Sequence, residues 1–288
     1  MVAQVVSRVA DDGRAGRLAA AAATTGLLVC VCVTGCSGGA GLTEDARAAA
    51  GEESVEVLHQ AAATLRRAGS AKARTSMEMA TGGTRVTIRG EGVYDFELRR
   101  GRLKVMLPQD PAGADEHRPI TELLAPGALF MKNRGAGVPA DKWVRVDTAA
   151  LSDGNLVTGG ATDPSAAAEL LRGARTASYV GRTELAGTPV RHYRGTADLH
   201  VAARSASKDN RDALRAAAKG FATARVPFDA YLDEEGRLRK VRHSFSFVND
   251  RRKGTVAVAS TTLLYDFGVA VDVRLPESAD IFAGKIAE

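Results

Sequence analysis

Cys36 is the side chain best placed for a defined covalent chemistry. It follows Val33, Thr34 and Gly35 at the end of an apolar run that starts at Leu18. Small residues ending such a run form a bacterial lipobox. A peptidase would cleave before Cys36, whose sulfur would then carry lipid. Arg8, Arg14 and Arg17 supply the basic region ahead of the run, while Asp11 and Asp12 are atypical there and point to a start downstream of Met1. Cys30 and Cys32 do not qualify, because Val29 and Val31 stand where a small residue is required. The competing reading is an uncleaved signal anchor with Cys36 as an ordinary buried cysteine. Leu18–Gly35 is short and alanine-rich for a secure transmembrane helix. Cleavage discards Cys30 and Cys32 and commits Cys36 to lipid, which leaves no disulfide framework, zinc site or thiol nucleophile.

The remaining chemistry-bearing residues do not assemble into a catalytic set. Ser205 and Lys208 match S-x-x-K, the serine–lysine motif of penicillin-binding enzymes. Ser152-Asp153-Gly154 echoes the second motif of those enzymes from the wrong side of Ser205, and no K-T-G follows. A helix start with Ser205 or Ser207 as cap explains the same residues. His59, His117, His192, His200 and His243 show no metal-ligand spacing, though His192 and His200 are spaced to share one strand face. Asp233, Glu234 and Glu235 read as a solvated turn, and Trp143 as a core residue of its strand. No nucleophile elbow, phosphate-binding loop or zinc-protease motif is present. The expectation is a non-enzyme with no metal and no cofactor.

Charge excludes other classes. Thirty-nine basic and thirty-four acidic residues give a net +5, spread along the chain without aromatic interleaving, so nucleic acid is not an expected partner. A solvated surface accounts for the excess better than an anionic membrane does. Alanine and arginine richness suggests a high-GC genome.

The elements that must position any site are mostly strands. Residues 1–35 read as the signal peptide and 36–53, small, polar and acidic, as a flexible tether of loosely helical or disordered character. Residues 54–288 read as one domain. An amphipathic helix starts at Ser54 as N-cap, with Val55, Leu58, Ala62 and Leu65 in register, and stops at Gly69. Period-two alternation then dominates. Val86, Ile88, Tyr94 and Phe96 share one face with Gly90 and Gly92, Leu103, Val105 and Leu107 another strand, and "ELRRG" turns between them. Further strands are expected at 120–124, 128–132, 143–146, 177–185, 190–199, 228–232, 238–248 and 255–267. Gly135-Ala136-Gly137 suits a hairpin loop. The glycine-rich 151–164 reads as a mobile flap. Asp163 and Pro164 open a short helix, and another spans about 207–221. Both parities of 255–267 are semi-apolar. Ten or eleven strands joined by hairpins give an α+β fold: one large curved antiparallel sheet with inserted helices covering its concave face.

Three segments then carry a resemblance: Asp163–Leu199, Phe228–Phe247 and Leu263–Ile281. Within them Gly181 and Glu184 precede a turn, His192-Tyr193 returns, Asp233–Gly236 forms a hairpin, and Asp266-Phe267-Gly268 stands ahead of a final strand. These resemble the actinobacterial lipoproteins of the LppX/LprG group, within the LolA-like superfamily, over about Ser54 to Ile281. The resemblance implies a half-open β-barrel plugged by helices, with an apolar cavity holding lipid acyl chains for transport or sensing. Candidate cavity-lining residues are Val86, Ile88, Leu103, Val105, Phe228, Leu232, Phe245 and Phe247. The alternative for each is ordinary packing against the helices. The implied setting is the extracytoplasmic face of the cell membrane, anchored through Cys36, with lipid as ligand. No feature sets an oligomeric state, and a monomer is expected. A regulatory protein that senses the envelope through a protein partner, without lipid transfer, is the alternative.

Overall fold

The structure is a computed structural model that describes residues 40–81, 83–108, 118–135, 137–249 and 254–284. The signal segment and the lipobox Val33–Cys36 lie outside the described residues, as do His117 and Ala136.

Alternation in the sequence becomes a single eleven-stranded sheet. Its strands are β1 (Ser70–Thr81), β2 (Thr84–Asp95), β3 (Arg100–Met106), β4 (Ile120–Ala125), β5 (Ala128–Lys132), β6 (Trp143–Asp147), β7 (Ala174–Leu185), β8 (Thr188–Asp198), β9 (Arg225–Leu232), β10 (Leu238–Asn249) and β11 (Gly254–Tyr265). They lie in the order β6-β5-β4-β3-β2-β1-β11-β10-β9-β8-β7, with every neighbouring pair antiparallel. The chain builds one arm outward from β1 to β6, then returns through β7 to β11 to meet β1. The sheet curves but does not close. Burial alternates along several strands: β3 does so strictly, with Gly101, Leu103 and Val105 inside, while β4 and β5 are buried on both faces and β7 is largely exposed.

Among the described residues four α-helices belong to the concave side: α1 (Ala40–Ala68), α2 (Pro164–Leu170), α3 (Leu199–Ser205) and α4 (Lys208–Gly220). Leu58, Ala61, Ala62 and Leu65 of α1 are buried, as are Ala213, Leu214, Ala217 and Ala218 of α4. Alanine on the facing side lets helix backbones approach closely, and each fully buried leucine contributes about 2 kcal/mol. α1 packs along β7, and α3 and α4 pack on each other.

Several expectations change. The helix begins at Ala40, not Ser54, so most of the expected tether is helical. Ser54 lies inside α1, its hydroxyl donating to the Ala50 carbonyl at 2.8 Å. Residues 46–50 are exposed, which is why no apolar stripe announced this part. α3 was not expected. Asp198 ends β8 and caps α3 by accepting from the His200 and Val201 amides, so His200 sits on a helix and shares no strand face with His192. Only one parity of β11 is deeply buried: Val256, Val258, Ser260, Thr262 and Leu264. On the other, arginine and lysine heads lie over the Tyr265 ring, and Arg237 and Arg239 over Phe267.

No further strand follows Asp266-Phe267-Gly268 among the described residues. The chain instead crosses the outer face of the β1–β6 arm. The Gly268 amide and the Ser70 hydroxyl tie it to β1, Val273 and Leu275 pack on a cluster formed by Leu123, Ala128 and Phe130, and Ile281 bridges Trp143 on edge strand β6. Trp143 therefore belongs to this outer cluster rather than to the main core.

Candidate functional site

The concave face is covered in two ways. Over β9 and β10 the cover is helical: Phe221, at the end of α4, stacks on Phe245 at 4.8 Å. Over β2 to β5 it is the segment 151–163, a loop. The expectation of a mobile flap is corrected here, because Asp153–Val157 and Gly159–Thr162 are all buried. The segment fills the concavity as a plug.

Its local structure explains how irregular backbone survives burial. The Asp153 carboxylate accepts from the amides of Asn155, Val157 and Thr158 and from the Thr158 hydroxyl. The Asn155 side chain accepts from the Gly159 amide at 3.0 Å, and the Thr162 hydroxyl donates to the Leu156 carbonyl at 2.8 Å. Buried polar groups need partners, and the plug finds them within itself. Thr162 links the plug to the sheet through the 2.5 Å contact between its hydroxyl and that of Ser260. At its C-terminal end Asp163 caps α2 and receives the Tyr94 hydroxyl at 3.3 Å, burial pushing both groups' pKa values up.

Small residues set how deeply the plug sits. A β-carbon on Gly160 would lie 3.4 Å from both Ile88 and Val105, and one on Gly159 3.3 Å from Leu129 and from a Glu122 oxygen. At the plug's start Gly154 has φ 59° and lies so close to α4 that a side chain there would run into the Ala213 carbonyl. A surface groove of about 540 Å³ opens beside that start, lined by Ala149–Ser152 and by Asp212, Arg215, Ala216, Lys219 and Gly220.

The eight candidate lining residues all face the concave side. Val86, Ile88, Leu103, Val105, Phe228, Leu232 and Phe245 are buried, and Phe247 is half-buried against the same core. They split into two groups. Val86, Ile88, Leu103 and Val105 belong to the plugged arm, and the other four to the helix-covered arm.

The sequence reading missed the polar residues of this floor. Glu122 is wholly buried, and neither of its oxygens has a hydrogen-bond partner. Burial pushes its pKa up to about 8, against a smaller downward pull from the Arg134 charge. Arg134, in the β5–β6 connection, has its own pKa lowered by burial, and its Nη1 is buried without a partner. On the other arm His243 is buried with Nε2 unpartnered, and burial lowers its pKa to about 3. Parity was the available signal. Glu122 stands between Ile120 and Leu124, and His243 between Val241 and Phe245, both on the apolar face of their strands.

The other candidates disperse. Ser205 ends α3 and Lys208 begins α4, both exposed, with Ser207 as the N-cap. His192 meets Asp229 at 2.6 Å and stacks on Tyr231, while His59 contacts the Ala174 carbonyl. Asp233, expected in a solvated turn, is buried and accepts from the Arg237 amide and guanidinium. No cluster of three or more potential metal ligands occurs among the described residues. No described helix is long and apolar enough to cross a membrane.

No protein-family model matches the chain, and no curated protein matches it. Similar solved structures include LprF from Mycobacterium bovis, 13% identical over 78% of this chain and 97% of that one, with a TM-score of 0.38. Another is the Mycobacterium tuberculosis lipoprotein LppX, 9% identical over 77% and 99%, with a TM-score of 0.44. A third is a putative outer membrane lipoprotein-sorting protein domain from Vibrio parahaemolyticus, 11% identical over 77% and 94%, with a TM-score of 0.30.

Proposed function

We propose that the protein is a membrane-anchored, extracytoplasmic carrier or sensor that holds an acyl chain on the plugged arm of its sheet. The observation that carries this reading is the cover itself. An apolar floor that includes Ile88, Val105 and Leu129 is closed by a loop that hydrogen-bonds mainly to itself. Such a plug can leave the floor as a unit while keeping most of its polar groups satisfied. An acyl chain taking its place gains about 0.8 kcal/mol per methylene. Val86, Ile88, Leu103 and Val105 line this site, and Phe228, Leu232, Phe245 and Phe247 serve the helix-covered core. The groove between Ala149–Ser152 and α4 is the entrance. The lipobox supports removal of residues 1–35 and lipidation of Cys36, which confines the site to the membrane that supplies its ligand.

Native mass spectrometry of the mature chain from an actinobacterial host tests the binding. Co-purified acyl lipid is the expected result, and a chain repeatedly free of lipid would sink the reading. Metabolic labelling with an alkynyl fatty acid tests the anchor, with label expected on the wild type and lost in Cys36→Ala.

A second reading, regulation through a protein partner, rests on Tyr179 and Val180. Both are about half exposed on β7, the edge strand opposite the plugged arm. It predicts crosslinks to a defined protein through β7, and function that survives filling the floor with Gly160→Trp.

A further inference from the structure

Arg134 and Glu122 make an unbalanced pair. Each feels the other's charge, yet no hydrogen bond or ion pair joins them among the described residues. Both Glu122 oxygens and Arg134 Nη1 are buried and unpartnered. Arg134 is half-buried, and its inner Nη1 carries a desolvation cost with no partner to offset it, as does the wholly buried Glu122 carboxyl. Their position is informative. A Glu122 oxygen faces Gly159 of the plug beside Leu129, so it lies on the floor that the plug covers. Arg134 follows Asn133, whose side-chain amide donates to the Pro119 carbonyl and so holds this turn beside the start of β4. Asn155, with Nδ2 also unpartnered, lies against the same point of Gly159 and occupies this polar corner in the plugged state.

We infer that Glu122 and Arg134 form a head-group subsite for the carboxylate of a free fatty acid whose chain lies along the plugged arm. The inference rests on the acyl-binding reading above. The chemistry of the two groups selects the head. A carboxyl with a pKa of about 8 is mostly protonated at neutral pH and donates one O–H, and the guanidinium donates an N–H and keeps its charge. Two donors and one uncompensated positive charge match the two oxygens and single negative charge of a carboxylate. A fatty alcohol offers one oxygen and no charge. A phosphodiester brings the charge, but it also brings a second ester substituent that would have to be buried on the apolar floor beside Leu129.

The test is photocrosslinking of the full lipidated chain in phosphatidylcholine nanodiscs. It compares a diazirine-bearing C16 fatty acid, the matched fatty alcohol, and a phospholipid with the same chain. Crosslinks are mapped to the peptides carrying Ile88, Val105 and Leu129. The expected result is floor labelling by the acid about tenfold above the alcohol and the phospholipid at pH 7. Arg134→Met should remove the preference and Arg134→Lys retain part of it. Glu122→Gln, which keeps a donor, should bind the acid at neutral pH. Above pH 8 the wild type should lose the acid as Glu122 ionises beside it, and Glu122→Gln should not. Equal floor labelling by acid and alcohol, unmoved by Arg134→Met, overturns the carboxylate subsite and leaves acyl binding standing. Preference for the phospholipid also overturns it. Absence of floor labelling by all three probes, with the variants folded by circular dichroism, overturns the acyl-binding reading itself.

Discussion

The two arms of the sheet solve one problem by different means. From β7 to β11 the concave face meets helices whose alanines and leucines settle into a single packed layer, with Phe221 stacked on Phe245. From β2 to β5 the same kind of apolar face meets the plug, in which glycines replace side chains and a carboxylate replaces a helical hydrogen-bond ladder. Both covers satisfy their backbone internally, the helices through their own ladders and the plug through Asp153, Asn155 and Thr162. In the proposed function the plug is the one exchanged for ligand.

Titration breaks the symmetry between the arms most strongly. Glu122, on the plugged arm, goes from an ordinary 4.5 to about 8 in the fold, so its stabilising preference for the proton is complete below pH 4.5 and lost as pH rises through 8. Chemical unfolding should show the wild type losing stability relative to Glu122→Gln across that window, by on the order of 4 kcal/mol. His243, on the helix-covered arm, goes from 6.5 to about 3, so its contribution is complete above pH 6.5 and lost as pH falls through 3. Wild type minus His243→Leu should fall on acidification by a similar amount. Parallel profiles for the two variants would dissolve the contrast.

Asp153→Ala removes the acceptor for four hydrogen bonds and should cost about 3 kcal/mol. Hydrogen exchange should then speed up across 154–162 while β9 and β10 amides stay protected. Uniform loss of protection would make the plug an integral part of the core. Gly154→Ala meets a left-handed backbone and the Ala213 carbonyl, and should cost about 2 kcal/mol by thermal unfolding. Thr162→Val removes the link to Ser260, costing about 1 kcal/mol, and should raise acyl-probe access without unfolding the sheet.

Legibility in the sequence divided along the same line. Strands such as Arg100–Met106 and Arg225–Leu232 were visible because one buried face imposes period two, and hairpin turns such as "ELRRG" punctuate them. The first half of α1 was not, because a solvent-exposed helix has no stripe to display. α3 hid behind the strand it directly continues. The plug was misread for a physical reason. A segment rich in glycine, asparagine and threonine looks alike whether it is mobile or folded on an internal carboxylate, and only the position of Asp153 relative to the amides of Val157 and Thr158 separates the two. Glu122 stands at an apolar parity, but a lone carboxylate on a strand has no second acidic neighbour to mark it as part of a site.

The segment crossing the outer face has a kinetic consequence. Its hydrophobic residues Val273, Leu275 and Ile281 come after all eleven strands, yet they cover Leu123 and Phe130 on β4 and β5. During synthesis the first-built arm therefore waits with its back bare until the chain that sheathes it arrives. Closure over so long a separation is slow, and the exposed apolar back is prone to self-association meanwhile. Truncation before Val273 should accordingly show as aggregation during refolding before it shows as loss of the native sheet.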